Sequence, residues 1–585
     1  MSTLRRASST DVPGSTDRVV TVADVTAVLP GQDAAVDSLP STDGDPGGPE
    51  RRWKWLRLAG AVVMGLWCIG LAVYSTTIYH YDFLGEDFAT YNQAWTLIGQ
   101  GHLNPYDTIY HFPFIKSDFE LIIWPLALVH LVYPGSVALL WIQDLAVAGS
   151  GFVVFLWIVD YLERRRVPWW PAAGVVSVVL AVLVASPGAY QILFFDFHME
   201  PISTVFVLLA GRDLWSGRHR RAWIWVMLAL ACGTFAAITV VGLGISALLA
   251  GRETRRQGAL VVAAAIGWLA LVSVLGASAG SGITTYAHLV GRRSLSGPTG
   301  IAILLSSLLL HPTRVIDQLH ERLTSMYVLV KQVGVVGLAS AWGFGVPVVV
   351  MVTNALSGNT ALINQAFQNA AVCPFVLLGT VMVLVWTAQR FHYGWIPAIA
   401  VALAVTVQAL SYGVGLAPAN VRFGISQIGD TQATQIRRVL ALTPADAEVI
   451  STIRIMGRFC SRPHCYWFYS NGSFPVQSRE VVFVFDPAAE NQIPEADAAD
   501  DIGAIAFVRD RLHAHTLVDA NGITALVWRP PAGTTSVNVA TRPRQPGLET
   551  PAGASRLGGP GSASANTPAT VAAEKRRLLG LRTSG

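Results

Sequence analysis

Apolar runs broken by short polar turns fill the chain from about residue 56 to residue 412, and there the pattern stops. Full crossings of roughly 20 residues are predicted at Leu56–Ile78, 137–162, 172–194, 201–215, 258–278, 325–353, 370–388 and 394–412. Three runs do not fit a simple crossing. Residues 119–133 are apolar but short, and read as a re-entrant or interfacial helix. Residues 222–250 are basic on both flanks, so a broken hairpin of two short helices around Cys232–Phe235 satisfies the charge pattern. Residues 299–312 form another short apolar helix. Nine to twelve membrane segments are expected in all.

Charge sets the orientation. Arg51, Arg52, Lys54 and Arg57 precede the first run, and further basic clusters lie at Arg164–Arg166, at Arg218 with Arg220 and Arg221, and at Arg252 with Arg255 and Arg256. Residues 80–118 carry only Lys116, and 194–200 carry no basic residue. Basic ends stay cytosolic, which puts the N-terminus inside and the loops 80–118 and 194–200 outside. Residues 1–50 are polar and lack an apolar signal core, so they read as a disordered cytosolic tail without a cleavable leader. Composition agrees with a membrane protein: 52% of residues are hydrophobic and 13% charged, against about 25% charged in a soluble domain. The net charge of +4 is small and its basic residues border apolar runs, which argues against nucleic acid as a partner.

Residues 413–530 mix polar and apolar positions and predict a small α/β domain outside the membrane. Strands are expected at Val449–Ile455, Cys465–Tyr469, Val481–Phe485 and Ala504–Val508, and a hairpin through Asp519-Ala520-Asn521-Gly522 up to Trp528. Helical signals lie around 431–442 and 496–502. Cys460 and Cys465 can pair if this domain is outside. The alternatives are two reduced thiols, or a zinc site with His464 that lacks four ligands in view. Residues 531–585, rich in Pro, Ala, Gly, Ser and Thr, read as a second disordered tail.

The candidate chemistry sits in the two outer loops. Phe194-Phe195-Asp196-Phe197-His198-Met199-Glu200-Pro201 places an acid, an imidazole and a second acid at a turn between apolar runs. If the turn is extended, Asp196, His198 and Glu200 share one side, and Phe195, Phe197 and Met199 face lipid. The plainer alternative is an interfacial turn in which Asp196 or Glu200 caps the next helix and Pro201 starts it. The first loop runs from Tyr81 through Glu86-Asp87 into an amphipathic helix at about 86–100, and on to Lys116-Ser117-Asp118-Phe119-Glu120. Glu86 or Asp87 could serve as general base on an acceptor hydroxyl; both also suit a helix N-terminus, where negative charge is stabilising.

The order of these features resembles a bacterial multi-pass membrane family, domain of unknown function 2079, grouped with the GT-C glycosyltransferase superfamily. The shared features are the acidic-aromatic stretch from Asp87 into Gln93-Ala94-Trp95, then Gln143, and the Asp196-Phe197-His198 turn. Tyr286-Ala287-His288-Leu289, His311-Pro312, and Thr443 through Val449 follow, with Arg462–Tyr466 and the strand Val481–Asp486. One departure stands out: a Lys-Glu-Asp run of the family corresponds to the uncharged Ala231-Cys232-Gly233-Thr234-Phe235-Ala236.

The resemblance implies a GT-C-like helix bundle in the bacterial plasma membrane with a small C-terminal α/β domain. It implies transfer of a sugar from a polyprenyl-phosphate donor in the lipid to an envelope glycan acceptor on the outer face. In that scheme Asp87 is the base, with Glu86 beside it, and a divalent metal is an optional cofactor. Asp196, His198 and Glu200 contact substrate, and Arg292 or Arg293 holds the donor phosphate; a plain surface pair is the alternative for the arginines. The rival class is a transporter or an envelope-assembly scaffold. A transporter would keep its polar residues near mid-membrane, where Gln143, Asp144 and Lys331 are candidates.

Overall fold

A computed structural model of the chain describes residues 49–81, 83–193, 196–276, 283–295, 297–359, 362–390, 428–469, 472–487 and 498–539. Most of the expected terminal tails and the run 394–412 lie outside those residues. The chain is a helical membrane protein with a small C-terminal sheet domain.

Its first helix, α1 (Pro49–Tyr81), has 33 residues and so spans about 50 Å, longer than the hydrocarbon core of a bilayer. It leads into α2 (Glu86–Gly99), which packs under the C-terminal domain. A strand pair, β1 (Tyr106–Asp107) and β2 (Phe112–Pro113), and a one-turn helix at Ile123–Leu126 complete the loop that follows α1. That short helix and the turn after it do not form a crossing, in keeping with the brevity of the run 119–133. The chain then returns through α3 (Val137–Arg164), α4 (Trp169–Ala185) and α5 (Pro187–Leu193) to the turn at 196–199. It continues in α6 (Glu200–Trp215), α7 (His219–Leu230), α8 (Thr234–Ala250), α9 (Arg252–Val274), α10 (Gly297–Leu310), α11 (Pro312–Lys331), α12 (Ala341–Ala355) and α13 (Val372–Arg390).

Five helical stretches among the described residues are long and apolar enough to cross a membrane, α4 and α5 together making one of them, and two shorter helices, α8 and α12, are apolar. That count takes only long apolar helices among the described residues, and the run 394–412 lies outside them. The run 222–250 breaks at Ala231–Gly233, between α7 and α8. The predicted single span 325–353 is corrected: α11 ends at Lys331, a 3-10 turn occupies Val335–Ala339, and α12 starts at Ala341. Gly334 adopts φ +92°, closed to most side chains. Gly337 lies so close to α13 that a Cβ there would meet the Val376 carbonyl at 2.1 Å. The helix is traded for that close approach.

Small residues set the bundle's packing, as expected where lipid offers no hydrophobic drive between helices. Gly242 on α8 faces Gly345 and Val346 on α12, and an added Cβ at Gly345 would sit 2.3 Å from the Gly242 carbonyl oxygen. Gly244 and Gly258 bring α8 equally close to α9. At one end of the bundle Asp160 on α3 receives Arg57 of α1 (3.1 Å) and Arg212 of α6 (2.6 Å), while Asp213 receives Arg218 and Arg221. This is the basic end. Nearer the opposite end Ser75 on α1 donates to Asp144 on α3 at 2.8 Å.

The C-terminal domain carries a five-stranded mixed sheet in the order β4-β3-β6-β8-β7. Its strands are β3 (Glu448–Ser451), β4 (Cys465–Trp467), β6 (Val481–Phe485), β7 (His515–Ala520) and β8 (Ile523–Trp528); β3 runs parallel to β4 and β6. Helix α14 (Asp430–Leu442) packs on β7 and β8. A smaller pair joins β5 (Ser473–Pro475) to β9 (Ser536–Asn538), so regular structure reaches past residue 530. The expected strand at Ala504–Val508 is instead the second half of α15 (Ala498–Asp510). Ala504 and Val508 are four apart, both buried, and share a helical face; the short apolar run mimics a strand. Cys460 and Cys465 form a disulfide.

Candidate functional site

The acidic end is built by three elements meeting around the N-terminus of α2. The first is the turn at 196–199. Gln143 on α3 holds it, accepting the His198 N–H (2.8 Å) and donating to the Ile192 carbonyl (3.3 Å). Phe197 and Met199, expected to face lipid, are buried at 0% and 1% exposure. Phe197 packs against Tyr91 of α2, ring centroids 5.0 Å apart. The turn therefore points its apolar side into the protein, because α2 lies across it.

Asp196 uses its carboxylate on backbone. It accepts the Gly85 N–H (2.9 and 3.2 Å) and the Phe88 N–H (3.3 Å). Residue Gly85, the N-cap of α2, brings no side-chain cap of its own. A carboxylate from the other loop thus satisfies the orphan donors of the helix and meets its positive end. That placement fixes the first turn of α2, which carries Glu86 and Asp87.

Asp87 Oδ2 lies 3.7 Å from His198 Nε2, and Glu200 Oε2 lies 4.0 Å from His198 Nδ1. The imidazole stacks flat on Phe367, centroids 3.6 Å apart at 5°. Glu200 begins α6 and accepts the Gln368 amide at 2.9 Å. Asp87, Asp196, His198 and Glu200 are therefore drawn together by direct contact or through α2. Glu86 sits beside Asp87 in the same turn, within electrostatic reach of Tyr110. Arg292 and Arg293 are exposed just beyond the 3-10 segment Ile283–Val290. Among the described residues neither shares a hydrogen bond or ion pair with the cluster.

Three members of the cluster were not singled out from the sequence. The Tyr91 hydroxyl donates to Glu120 Oε1 at 2.7 Å. Asp118 receives the Thr234 N–H on its carbonyl (3.1 Å) and the Thr234 hydroxyl on its carboxylate (3.4 Å). Asp118 and Glu120 stand in the same acidic loop as Glu86 and Asp87, but no spacing rule links residues some thirty apart across a loop. Arg454 of the C-terminal domain, which covers the Phe83 ring at 4.9 Å, is a positive charge acting on Asp196.

Crowding carboxyls in a poorly hydrated place raises their proton affinity. Asp87 keeps 29% of its side chain exposed. Burial, then the neighbouring Asp118, pushes its carboxyl up to about 6. Burial, reinforced by Asp87, takes Asp196 up to about 7. Burial takes Glu200 up to about 8. Glu120 is pushed well above the ordinary carboxyl range, first by burial and then by Asp118, and Asp118 is raised by burial. Burial drives His198 down to about 3, so its ring is neutral. At neutral pH the cluster therefore holds several protons, while Asp87 is mostly ionised and open to solvent. Among the described residues, no three His, Cys, Asp or Glu side chains are arranged to hold a metal ion.

The family model described as Predicted membrane protein (DUF2079) matches residues 80–502. Among solved structures the chain is similar to ArnT from Cupriavidus metallidurans bound to undecaprenyl phosphate. Identity is 12% and the TM-score 0.36, over 81% of this chain and 98% of that one. ArnT from the same organism in the apo state gives 12% and 0.39, over 82% and 98%. The Archaeoglobus fulgidus oligosaccharyltransferase in the apo form gives 11% and 0.37, over 71% and 64%. No curated protein matches significantly. Identities and scores this low leave ligands and activities with those proteins.

Proposed function

We propose a function for this chain, which belongs to the DUF2079 family of predicted membrane proteins: transfer of a sugar from a polyprenyl-phosphate donor to a hydroxyl of an envelope acceptor, at the acidic end of the bundle. The observation that carries the reading is Asp87, a carboxylate on a helix turn that a second loop holds in place, partly open to solvent and 3.7 Å from His198. A general base needs that combination.

In the proposed reaction the acceptor oxygen attacks the anomeric carbon of the sugar. Its proton passes to Asp87, with Glu86 adjacent. The bond from the anomeric carbon to the phosphate oxygen breaks, and polyprenyl phosphate leaves with the electron pair. Neutral His198, braced by Phe367, and Glu200, held by Gln368, orient the acceptor. Asp196 positions α2 and does not touch the reacting atoms. The donor phosphate needs positive charge, for which Arg292 and Arg293 remain our candidates.

Orientation belongs to the same proposal. Basic residues at the Asp160 end favour a cytosolic position for it, which puts the carboxyl cluster, the disulfide and the C-terminal domain outside. Asp144 lies 16 residues along α3 from Asp160, about 24 Å. In a hydrocarbon layer of about 30 Å, that is close to the outer margin rather than the midplane, which favours a surface enzyme over a transporter.

The test is transfer by purified protein in nanodiscs with a panel of lipid-linked sugars. Asp87→Asn keeps shape and should lower turnover about 100- to 10,000-fold with folding intact. Unchanged transfer would remove Asp87 from the mechanism. No transfer by the wild type with any donor would favour the transporter or scaffold reading.

A further inference from the structure

Away from the carboxyl cluster, the loop 102–111 and the C-terminal domain flank a half-open cavity of about 470 Å3, within the 300–1,000 Å3 usual for small-molecule sites. Its lining contains no Asp, Glu, Lys or Arg. It offers instead ring faces and neutral hydrogen-bonding groups. Tyr106 is 49% exposed. His111 stacks on Tyr466 with centroids 6.3 Å apart at 26°. Asn104 and Gln477 contribute amides at the edge, and His464 has a buried ring nitrogen, Nδ1, with no hydrogen-bond partner among the described residues.

The cavity is held rigidly. Gln93 on α2 accepts the Thr108 N–H (3.0 Å) and donates to the carbonyls of Arg462 and Pro463 (3.1 Å each). Thr108 in turn donates to the Cys465 carbonyl. The Cys460–Cys465 disulfide closes the loop that carries Pro463 and His464. His111 is kept at φ +62°, a conformation that a non-glycine residue rarely adopts without cause. One staple thus joins α2, the outer loop and the C-terminal domain around this space.

We propose that this cavity binds a neutral saccharide, as a subsite for an acceptor glycan chain. Amphipathic ring faces take the CH faces of a sugar, amides and imidazoles take its hydroxyls, and an uncharged lining disfavours ionic ligands, which would be desolvated without a counter-charge. Leu97 of the lining is ten residues from Asp87 on α2, about 15 Å. The acceptor role rests on the transferase reading; saccharide binding does not.

The experiment is saturation-transfer NMR on the full chain in nanodiscs, with neutral hexasaccharides of glucose, mannose, galactose and arabinose as probes. At least one should give signal with the wild type, and Tyr106→Ala should reduce it at least fivefold. His111→Gly, which keeps the left-handed backbone available, should do the same, with thermal melting unchanged in both. No signal from any of the four, or equal signal in both variants, would overturn the proposal. A wild type that binds a hexasaccharide but transfers nothing from any lipid-linked donor would sink the transferase reading and leave this site standing.

Discussion

Replacing Glu200 by glutamine should stabilise the protein, by an amount that depends on pH in a definite direction. Glu200 is 14% exposed at its side chain, and burial lifts its carboxyl from 4.5 to about 8. Below pH 4.5 the carboxyl is protonated in the folded and the unfolded chain, and contributes no difference. Between 4.5 and 8 the unfolded chain gives up the proton and the folded one keeps it. Stability therefore falls as pH rises, by about 1.4 kcal/mol per pH unit. At pH 7 the accumulated cost is about 3 kcal/mol, and it levels off above pH 8. Glutamine cannot ionise, and its carbonyl can still accept from Gln368 where the carboxylate now does at 2.9 Å. The assay is thermal unfolding in nanodiscs, followed by tryptophan fluorescence, at pH 4.5, 7 and 8.5. Glu200→Gln should match the wild type at pH 4.5 and melt higher at the other two. A gain that is the same at all three pH values, or a loss at pH 8.5, would refute the claim that a buried, proton-holding carboxyl strains this site.

Asp196→Ala removes the acceptor for the first N–H groups of α2 and should cost about 1–2 kcal/mol, read as a lower melting temperature; an unchanged melt would deny it the capping role. Gly345→Leu forces a side chain into the Gly242 carbonyl and should abolish monodisperse protein on size exclusion, whereas wild-type elution would mean that the α8–α12 seam is loose. If Asp87 is the base, transfer should rise as pH passes through about 6, where its carboxyl ionises, and a flat profile from pH 5 to 8 would exclude it. Cysteine labelling of single introduced cysteines in residues 428–539 should react only from the outside; labelling only from the cytosolic side would invert the proposed orientation.

Periodicity carried much of the fold because it is a local property. The amphipathic helix at 86–100 emerges as Glu86–Gly99, and the hairpin at Asn521-Gly522 closes between Ala520 and Ile523 as turn chemistry requires. Breaks inside apolar runs were harder, because Gly334 and Gly337 interrupt the helix for contacts with Val376 and Thr380 some forty residues away. The candidate site was half legible. Acid and imidazole in an apolar context drew attention to Asp87, Asp196, His198 and Glu200, but not to their division of labour. That Asp196 serves the backbone of α2 depends on Gly85 arriving from a loop 111 residues distant. Gln93 and Gln143, noted as parts of a resemblance, prove to be staples: one binds the disulfide loop, the other the turn that carries His198.

The uncharged segment Ala231–Ala236 gains meaning from where it lies. The Ile122 N–H donates to the Ala231 carbonyl at 2.9 Å, and Thr234 binds Asp118 through backbone and side chain. Gly233, at φ +111°, leaves no room for a side chain, since its Cβ would meet Glu120 Cγ at 2.9 Å. The uncharged segment is thus the floor beneath Asp118 and Glu120. A lysine there would have paired with those carboxylates and lowered their proton affinity. As it stands, burial raises both carboxyls and Asp118 raises Glu120 further, and the cluster balances its charge with protons instead of a cation. An uncharged floor is therefore compatible with a base at Asp87, because protonating the inner carboxyls limits the charge that Asp87 has to oppose.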